Sequence, residues 1–452
     1  MEKRSSFSGK LGYVMSAAGA SVGLGNIWRF PYLAAKYGGG IFLLVYIILA
    51  LTFGYTMIMA ETAIGRMTGK SPIGAFKAFT NKSIYKIGGW LNAIIPILIV
   101  PYYSAIGGWV IKYLWEYLKG NVAGVAADGY FGSFISQTSP EIYFLIFAAL
   151  TLIVIYCGVE NGIEKVSKIC MPILVVLAII ISIYSCTRPG AIEGIKYMLI
   201  PNFENFSIMT VVQAMGQMFY SLSIAMGILI TFGSYLKKDV GIEAATIQVE
   251  IFDTAIAIMA GLMIIPAVFA FSGGDPNMLG AGPSLMFITL PKVFASMAFG
   301  RVFAIMFFFL VLFAALTSSI ALAECAVSTF TDEWHLSRQK GTILLAVIMV
   351  VLGTLSTLGY GPLDMIKILG MQFLDFFDFI TNSIMMPISA FFICMYTVYE
   401  VTVKRIADEV ELNGEPFKRK KIFNFMVRYV APIFVLVILA ASILSVLGII
   451  TV

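Results

Sequence analysis

Apolar runs long enough to cross a bilayer recur eleven times along this 452-residue chain, and no other feature constrains its fold as strongly. They fall near residues 11–36, 40–66, 87–118, 141–158, 165–187, 207–236, 240–271, 299–332, 340–359, 370–399 and 425–449, taken in order as segments 1 to 11. A spanning helix needs roughly 20 apolar residues. The expectation is an all-α integral membrane protein with eleven transmembrane helices. Several runs exceed that length, which predicts tilt or helix beyond the bilayer. Hydrophobic residues make up 60% of the chain and charged residues only 12%. Mean hydropathy is +0.92. These values exclude a soluble globular enzyme and a disordered scaffold. The longest loop, near 272–298, carries an amphipathic stretch around Leu285–Val293 that predicts a short helical cap.

Lys and Arg placement sets orientation. With the N-terminus inside, inner connections carry 21 of these residues and outer ones 8, while Arg29 lies within segment 1. The N-terminus is expected in the cytoplasm and, with an odd number of segments, the C-terminus outside. Lys3, Arg4 and the run from Leu11 look like a signal peptide, but the run continues through Asn26 and Arg29, so no cleavage is expected. The net charge of +5 reflects loop asymmetry, and no nucleic-acid partner is expected. Cysteines 157, 170, 186, 325 and 394 form no CxxC pair and read as packing residues. With His335 the sole histidine, a His-based dyad or metal cluster is excluded.

Segments 1 and 6 each break their apolar pattern halfway. Segment 1 reads Ser16-Ala-Ala-Gly19-Ala-Ser21-Val-Gly23-Leu-Gly25-Asn26, and segment 6 reads Phe219-Tyr220-Ser221-Leu222-Ser223-Ile-Ala-Met226-Gly227. Unwound backbone at membrane depth is tolerated only where it lines a cavity or is buried in protein. Paired interruptions at corresponding positions of two halves point to a transport site. One such stretch alone also fits close packing of small residues between helices. In segment 8, Ala314, Thr317 and Ser318 share one helix face, an all-oxygen patch suited to a hard monovalent cation. The same pattern also fits Ser/Thr hydroxyls bonded back to the i−4 carbonyl. Arg29, Glu61, Asp253 and Asp378 are ionisable groups within segments. Each costs roughly 2.5–3.5 kcal/mol at mid-span, so each reads as functional. Arg29 and Asp378 stand at similar depth, as a gating pair or as two unrelated snorkelling groups.

At these residues the chain resembles the neurotransmitter:sodium symporter family. The run Gly23-Leu-Gly25-Asn26-Ile-Trp-Arg29-Phe-Pro31 with Gly38-Gly-Gly40, the run Gln217-Met-Phe-Tyr-Ser221-Leu-Ser223 and the run Leu316-Thr-Ser-Ser319 carry the likeness. It covers about residues 4 to 450 and is closest in kind to bacterial eleven-span members, which implies the cell membrane. The resemblance implies a five-plus-five inverted repeat, residues 11–187 and 207–399, with 425–449 as an additional helix. It implies discontinuous helices 1 and 6 and an amino-acid substrate between them. One sodium site is then implied at the Ser21 carbonyl, Asn26, Ser221 and Asp253, completed by the substrate carboxylate. A second is implied at the carbonyls of Gly19, Val22 and Ala314 with the hydroxyls of Thr317 and Ser318. The implied substrate pocket comprises Ala20, Ser21, Gly23, Leu24, Gly25, Ile99, Tyr103, Tyr220, Ser221, Ser223, Met226, Ser318 and Leu322. The implied outer gate is Arg29 with Asp378, assisted by Asp375, under the aromatic lid of Tyr103 and Tyr220. The implied inner gate is Arg4 with Asp332, flanked by Tyr235. Glu61 is expected to bond the unwound part of segment 6. Gly162 and Pro172 resemble a segment-5 motif linked to unwinding and inward sodium release.

Several positions depart from the family's commoner pattern. Tyr220 replaces a Phe of the lid, Phe7 stands where a Trp often supports the inner gate, and Asp253 stands where relatives often have Asn. Ala257 lacks the hydroxyl that chloride-dependent members present. A fixed carboxylate beside sodium supplies the charge chloride would bring, so chloride independence is expected. Glu324, seven residues after Thr317, reads as a hydrated inner-vestibule carboxylate or as a proton carrier on the return step. Free amides at broken helix ends favour a carboxylate and free carbonyls an ammonium group. The Asp that binds amines in monoamine carriers corresponds to Gly23 here. With Ile99, Met226 and Leu322 apolar, the expected substrates are hydrophobic and include aromatic amino acids. The rival classes are a sodium- or amino-acid-gated channel and a non-transporting sensor. An enzyme is not expected.

Overall fold

The computed structural model describes residues 5–275, 278–279, 282–412 and 414–446. Every extended element among them is a helix. The only pairings of extended backbone are isolated bridges between Gly39 and Pro201 and between Ile368 and Met371. Eight helices are long and apolar enough to cross a membrane: Gly40–Thr68, Ser83–Lys119, Val159–Cys186, Ile242–Ser272, Gly300–Trp334, Arg338–Leu358, Phe373–Val401 and Lys420–Leu444. They correspond to segments 2, 3, 5, 7, 8, 9, 10 and 11. Segment 4 is the shorter helix Pro140–Tyr156. Segments 1 and 6 do not qualify because each leaves the helix halfway. The predicted cap is a helix over Leu285–Ser296. Short helices, Ala191–Leu199 and Val403–Val410 among them, stand where loops were expected. Both are too brief for a hydrophobic run to reveal.

The long helices divide into an inner and an outer set. Ser83–Lys119 and Gly300–Trp334 are mostly buried against other helices, and they pack closely on one another. Arg338–Leu358 and Lys420–Leu444 are covered along one face only. Their other faces present Ile343, Val347, Val350 and Val351, and Phe425, Tyr429, Ile433 and Leu436. Exposed apolar stripes of this size need an apolar solvent or a partner. Close approach inside depends on small residues. A Cβ on Gly107 would lie 2.6 Å from the Phe147 ring, and one on Gly108 would press on the backbone of Phe144 at 2.5 Å. Segment 1 packs on helices Ile242–Ser272 and Gly300–Trp334 and segment 6 on helix Gly40–Thr68, and both breaks are buried.

Candidate functional site

Helix Lys10–Ser21 stops because Val22 turns extended, with φ −75° and ψ 97°. The chain rewinds through a wide π-turn, Gly25–Arg29, into helix Phe30–Lys36. Asn26 stitches this gap: its side-chain oxygen accepts from the Gly23 amide at 3.0 Å. The Leu24 amide bonds the Tyr103 hydroxyl at 3.2 Å. Helix Ile208–Ser221 breaks in the same way, and the helix resumes only at Ile228. Between them Ser223, Ala225 and Gly227 have φ of 54°, 60° and 72°. Positive φ is uncommon for residues with a Cβ and persists where surroundings impose it. Here Glu61 supplies that constraint by accepting from the Ala225 amide at 2.8 Å. The Ser223 hydroxyl donates to the Ala20 carbonyl at 3.0 Å, which joins the two breaks.

The breaks enclose a small cavity. Its walls are Ala20, Ser21, Gly23, Leu24, Gly25, Ile99, Tyr103, Tyr220, Ser221, Ser223, Met226, Ile228, Ser318 and Leu322. All the residues proposed for a pocket converge there. Ile228 was not foreseen; its one signal is that it follows Gly227, where the helix resumes. One edge of the Tyr220 ring lies against Gly25, where a Cβ would sit 2.6 Å from Cδ1. A Cβ on Gly23 would lie 2.7 Å from Ser318 Oγ and 3.0 Å from the Tyr103 hydroxyl.

Two oxygen clusters flank the cavity. In the first, Asp253 is wholly buried. Its carboxylate accepts from Asn26 at 2.8 Å, Ser221 at 2.7 Å and Tyr46 at 3.0 Å. All three donors are neutral, and Asn26 also bonds Ser221 at 2.8 Å. In the second, Ser318 Oγ lies 3.3 Å from the Gly19 carbonyl, 3.1 Å from that of Ala20 and 3.3 Å from that of Val22. Thr317 bonds back to the Phe313 carbonyl at 3.0 Å and lies 3.2 Å from that of Ala314. Thr317 thus shows the back-bonding pattern, while Ser318 turns to the carbonyls of segment 1. One hydroxyl has a single hydrogen for three acceptors, so this cluster is rich in oxygen and poor in hydrogens. Among the described residues, no group of three or more His, Cys, Asp or Glu side chains is placed to hold a metal ion. All five cysteines are free.

The expected gate residues have other direct partners in this structure. Arg29, Asp375 and Asp378 all line one outer vestibule. Among the described residues, no ion pair within 4.0 Å joins Arg29 to either Asp. Arg29 instead lies over the Tyr220 ring at 5.5 Å. Asp378 is satisfied by Tyr102 at 3.1 Å and Asn382 at 2.6 Å, and Asp375 accepts from Tyr360 at 2.7 Å. On the inner side, Arg4 lies outside the described residues. Asp332 accepts from the Ser71 amide at 2.6 Å. Tyr235 takes the Phe7 amide on its carbonyl at 3.2 Å and donates its hydroxyl to Glu324 at 2.7 Å. Phe7 packs edge-on against Tyr13, Phe232 and Tyr235.

Glu324 is not a hydrated vestibule carboxylate. It is wholly buried and holds Arg338 through both oxygens, one of these bonds being 3.0 Å. Arg338 also bonds the Ile155 carbonyl at 2.7 Å. Helical spacing placed Glu324 on the face of Thr317. Its cation comes from the first turn of the next helix, which spacing within segment 8 does not reveal. Gly162 sits in the π-turn Val159–Glu164 that opens segment 5, and Pro172 lies within helix Lys165–Cys186.

The site's likeness to known proteins is broad. A model of the sodium:neurotransmitter symporter family matches residues 4–129 and 133–449. The sodium-dependent transporter YhdH of Bacillus subtilis (strain 168) is 32% identical over 97% of each chain. A sodium-dependent transporter of Haemophilus influenzae is 33% identical over 98% of each. The crystal structure of MhsT in complex with L-phenylalanine superposes with a TM-score of 0.87 at 35% identity, covering 97% of this chain and 100% of that one. With two broken helices around a central cavity and a family match spanning nearly its whole length, the chain belongs to the sodium:neurotransmitter symporter family and is a multi-pass, sodium-dependent transporter, not an enzyme.

Proposed function

We propose that the protein carries hydrophobic L-amino acids, aromatic ones included, into the cell together with sodium by alternating access. The observation that carries this reading is the cavity between the two breaks, flanked by a buried carboxylate with only neutral partners. Backbone amides at the first break suit a carboxylate, and the Ala20 carbonyl suits an ammonium group. An aspartate in place of Gly23 would collide with Ser318 and Tyr103, so no fixed counter-charge for a bare amine fits there. Ile99, Met226, Ile228 and Leu322 make the remaining wall apolar. MhsT, 35% identical, is itself described in complex with L-phenylalanine.

Two sodium ions enter as co-substrates. A buried carboxylate without a cation is costly. Sodium among the Ser21 carbonyl, Asn26, Ser221 and Asp253 would relieve that cost, with the substrate carboxylate as a further ligand. A shared ligand makes each species raise the other's affinity. The second ion would bind the oxygen cluster of Gly19, Val22, Ala314, Thr317 and Ser318. Asp253 supplies a permanent charge and buried Ala257 offers no hydroxyl, so transport runs without chloride.

The remaining architecture is read in the same way. Residues 11–187 and 207–399 form two inverted repeats, 425–449 adds an eleventh helix, and the N-terminus faces the cytoplasm. Closure of the outer vestibule brings Arg29 and Asp378 together above Tyr103 and Tyr220. On the inner side Arg4, Asp332 and Tyr235 separate as the site opens inward. Uptake into proteoliposomes tests the whole reading. Sodium-driven accumulation of phenylalanine or leucine above the outside concentration is expected in chloride-free buffer. Equilibration without accumulation would indicate a channel. A preference for lysine or glutamate would overturn the substrate class.

A further inference from the structure

Glu164 closes the π-turn Val159–Glu164 and is almost wholly buried. The turn begins after Gly158, whose φ is 93°. The carboxylate reaches the residues that lead into segment 1. It accepts from the Ser8 amide at 2.8 Å, from the Ser8 hydroxyl, and from Lys168 of its own helix at 2.5 Å. It rests on Gly12, where a Cβ would overlap it. Thus Gly12 leaves room for the carboxylate to lie against the first turn of helix Lys10–Ser21. Two further bonds hold the same residues from segment 6: Phe7 donates to the Tyr235 carbonyl at 3.2 Å, and Lys237 donates to the Ser8 carbonyl at 3.0 Å.

The far end of helix Lys10–Ser21 supplies the carbonyls of the second oxygen cluster. A helix of 12 residues is about 18 Å long and moves as a stiff rod. Its outer tip belongs to the cation cluster, and its inner root is held by a carboxylate on a locally weak turn. We infer that Glu164 is a positioning residue that ties the root of segment 1 to the π-turn of segment 5, so that sodium at the tip and the hold at the root report on each other. The inference rests on the sodium reading above. In the sodium-bound state the rod is held at both ends. When the ion leaves, the root loosens from Glu164 and the inner path opens.

Hydrogen exchange of the full-length protein in nanodiscs, in sodium against potassium, tests this. In the parent, residues 5–12 and residues 155–165 both exchange more slowly in sodium. In Glu164→Ala, residues 5–12 are expected to exchange about tenfold faster in sodium and to lose their response to the cation, since hydrogen bonds to a charged group are removed. Residues 155–165 keep their response. Gly12→Ala provides a second variant that retains the charge but displaces the carboxylate, and the same outcome is expected. If residues 5–12 retain the parent's sodium response in both variants, the latch is overturned. It is equally overturned if their exchange rises by one factor in sodium and potassium alike, which marks a purely structural contact. A parent that responds to sodium in neither segment overturns the sodium reading itself, and the latch with it.

Discussion

Asp253 shows how much one side chain decides. It is wholly buried, and Asn26, Ser221 and Tyr46 donate to it without neutralising it. Asp253→Asn removes the fixed charge while keeping the shape. Its apparent sodium affinity in a binding titration is expected to fall by about tenfold or more, the scale of one charge-assisted contact. Gly23 makes the opposite point, because its value is the absence of atoms. Gly23→Asp places a Cβ 2.7 Å from Ser318 Oγ and a charge in the substrate's path. Scintillation proximity binding of phenylalanine is expected to disappear, with no gain of amine binding. Persistent binding would show that the cavity yields more than its packing suggests.

At the scale of elements, the breaks matter because backbone groups at membrane depth must be satisfied. The protein does this with Asn26 at the first break and Glu61 at the second. Inner ends are joined by a buried ion pair, Glu324 with Arg338, capped by Tyr235. Removing one partner of such a pair leaves a buried charge and costs about 3–5 kcal/mol. Arg338→Met is therefore expected to lower the unfolding temperature markedly. The double variant Glu324→Gln with Arg338→Met is expected to recover much of that loss, as read from thermal unfolding in detergent. If the single and double variants are equally unstable, the pair acts through packing rather than charge.

At the scale of the whole molecule, inner helices are buried on most sides and outer ones carry apolar stripes, so the broken helices sit inside a shell of helices whose outer face is apolar. The chain belongs to a family of sodium symporters, and in the proposed function a shared ligand couples sodium to a zwitterion. Phenylalanine is accordingly expected to bind several-fold tighter in saturating sodium than in potassium. Sodium is expected to bind tighter by the same factor with phenylalanine present, because linkage is reciprocal. Equal affinity for phenylalanine in saturating sodium and in potassium would exclude a shared ligand as the source of coupling.

Much of this was legible from one dimension. Apolar length reveals a membrane chain because bilayer thickness sets the length a helix needs. Small residues beside Asn26, and again at 219–227, mark where helix fails, since local backbone preferences act over a few positions. Tertiary structure alone decided what pairs with what. Glu324 takes its cation from Arg338, Asp378 is held by Tyr102 and Asn382 instead of Arg29, and Ile228 joins the cavity wall. Glu164 meets Ser8 across 156 positions of sequence. Bilayer thickness and local conformational preference act along the chain and leave a pattern in it. Hydrogen bonds and ion pairs act over about 3–4 Å of space, and which groups come that close depends on how all the helices pack.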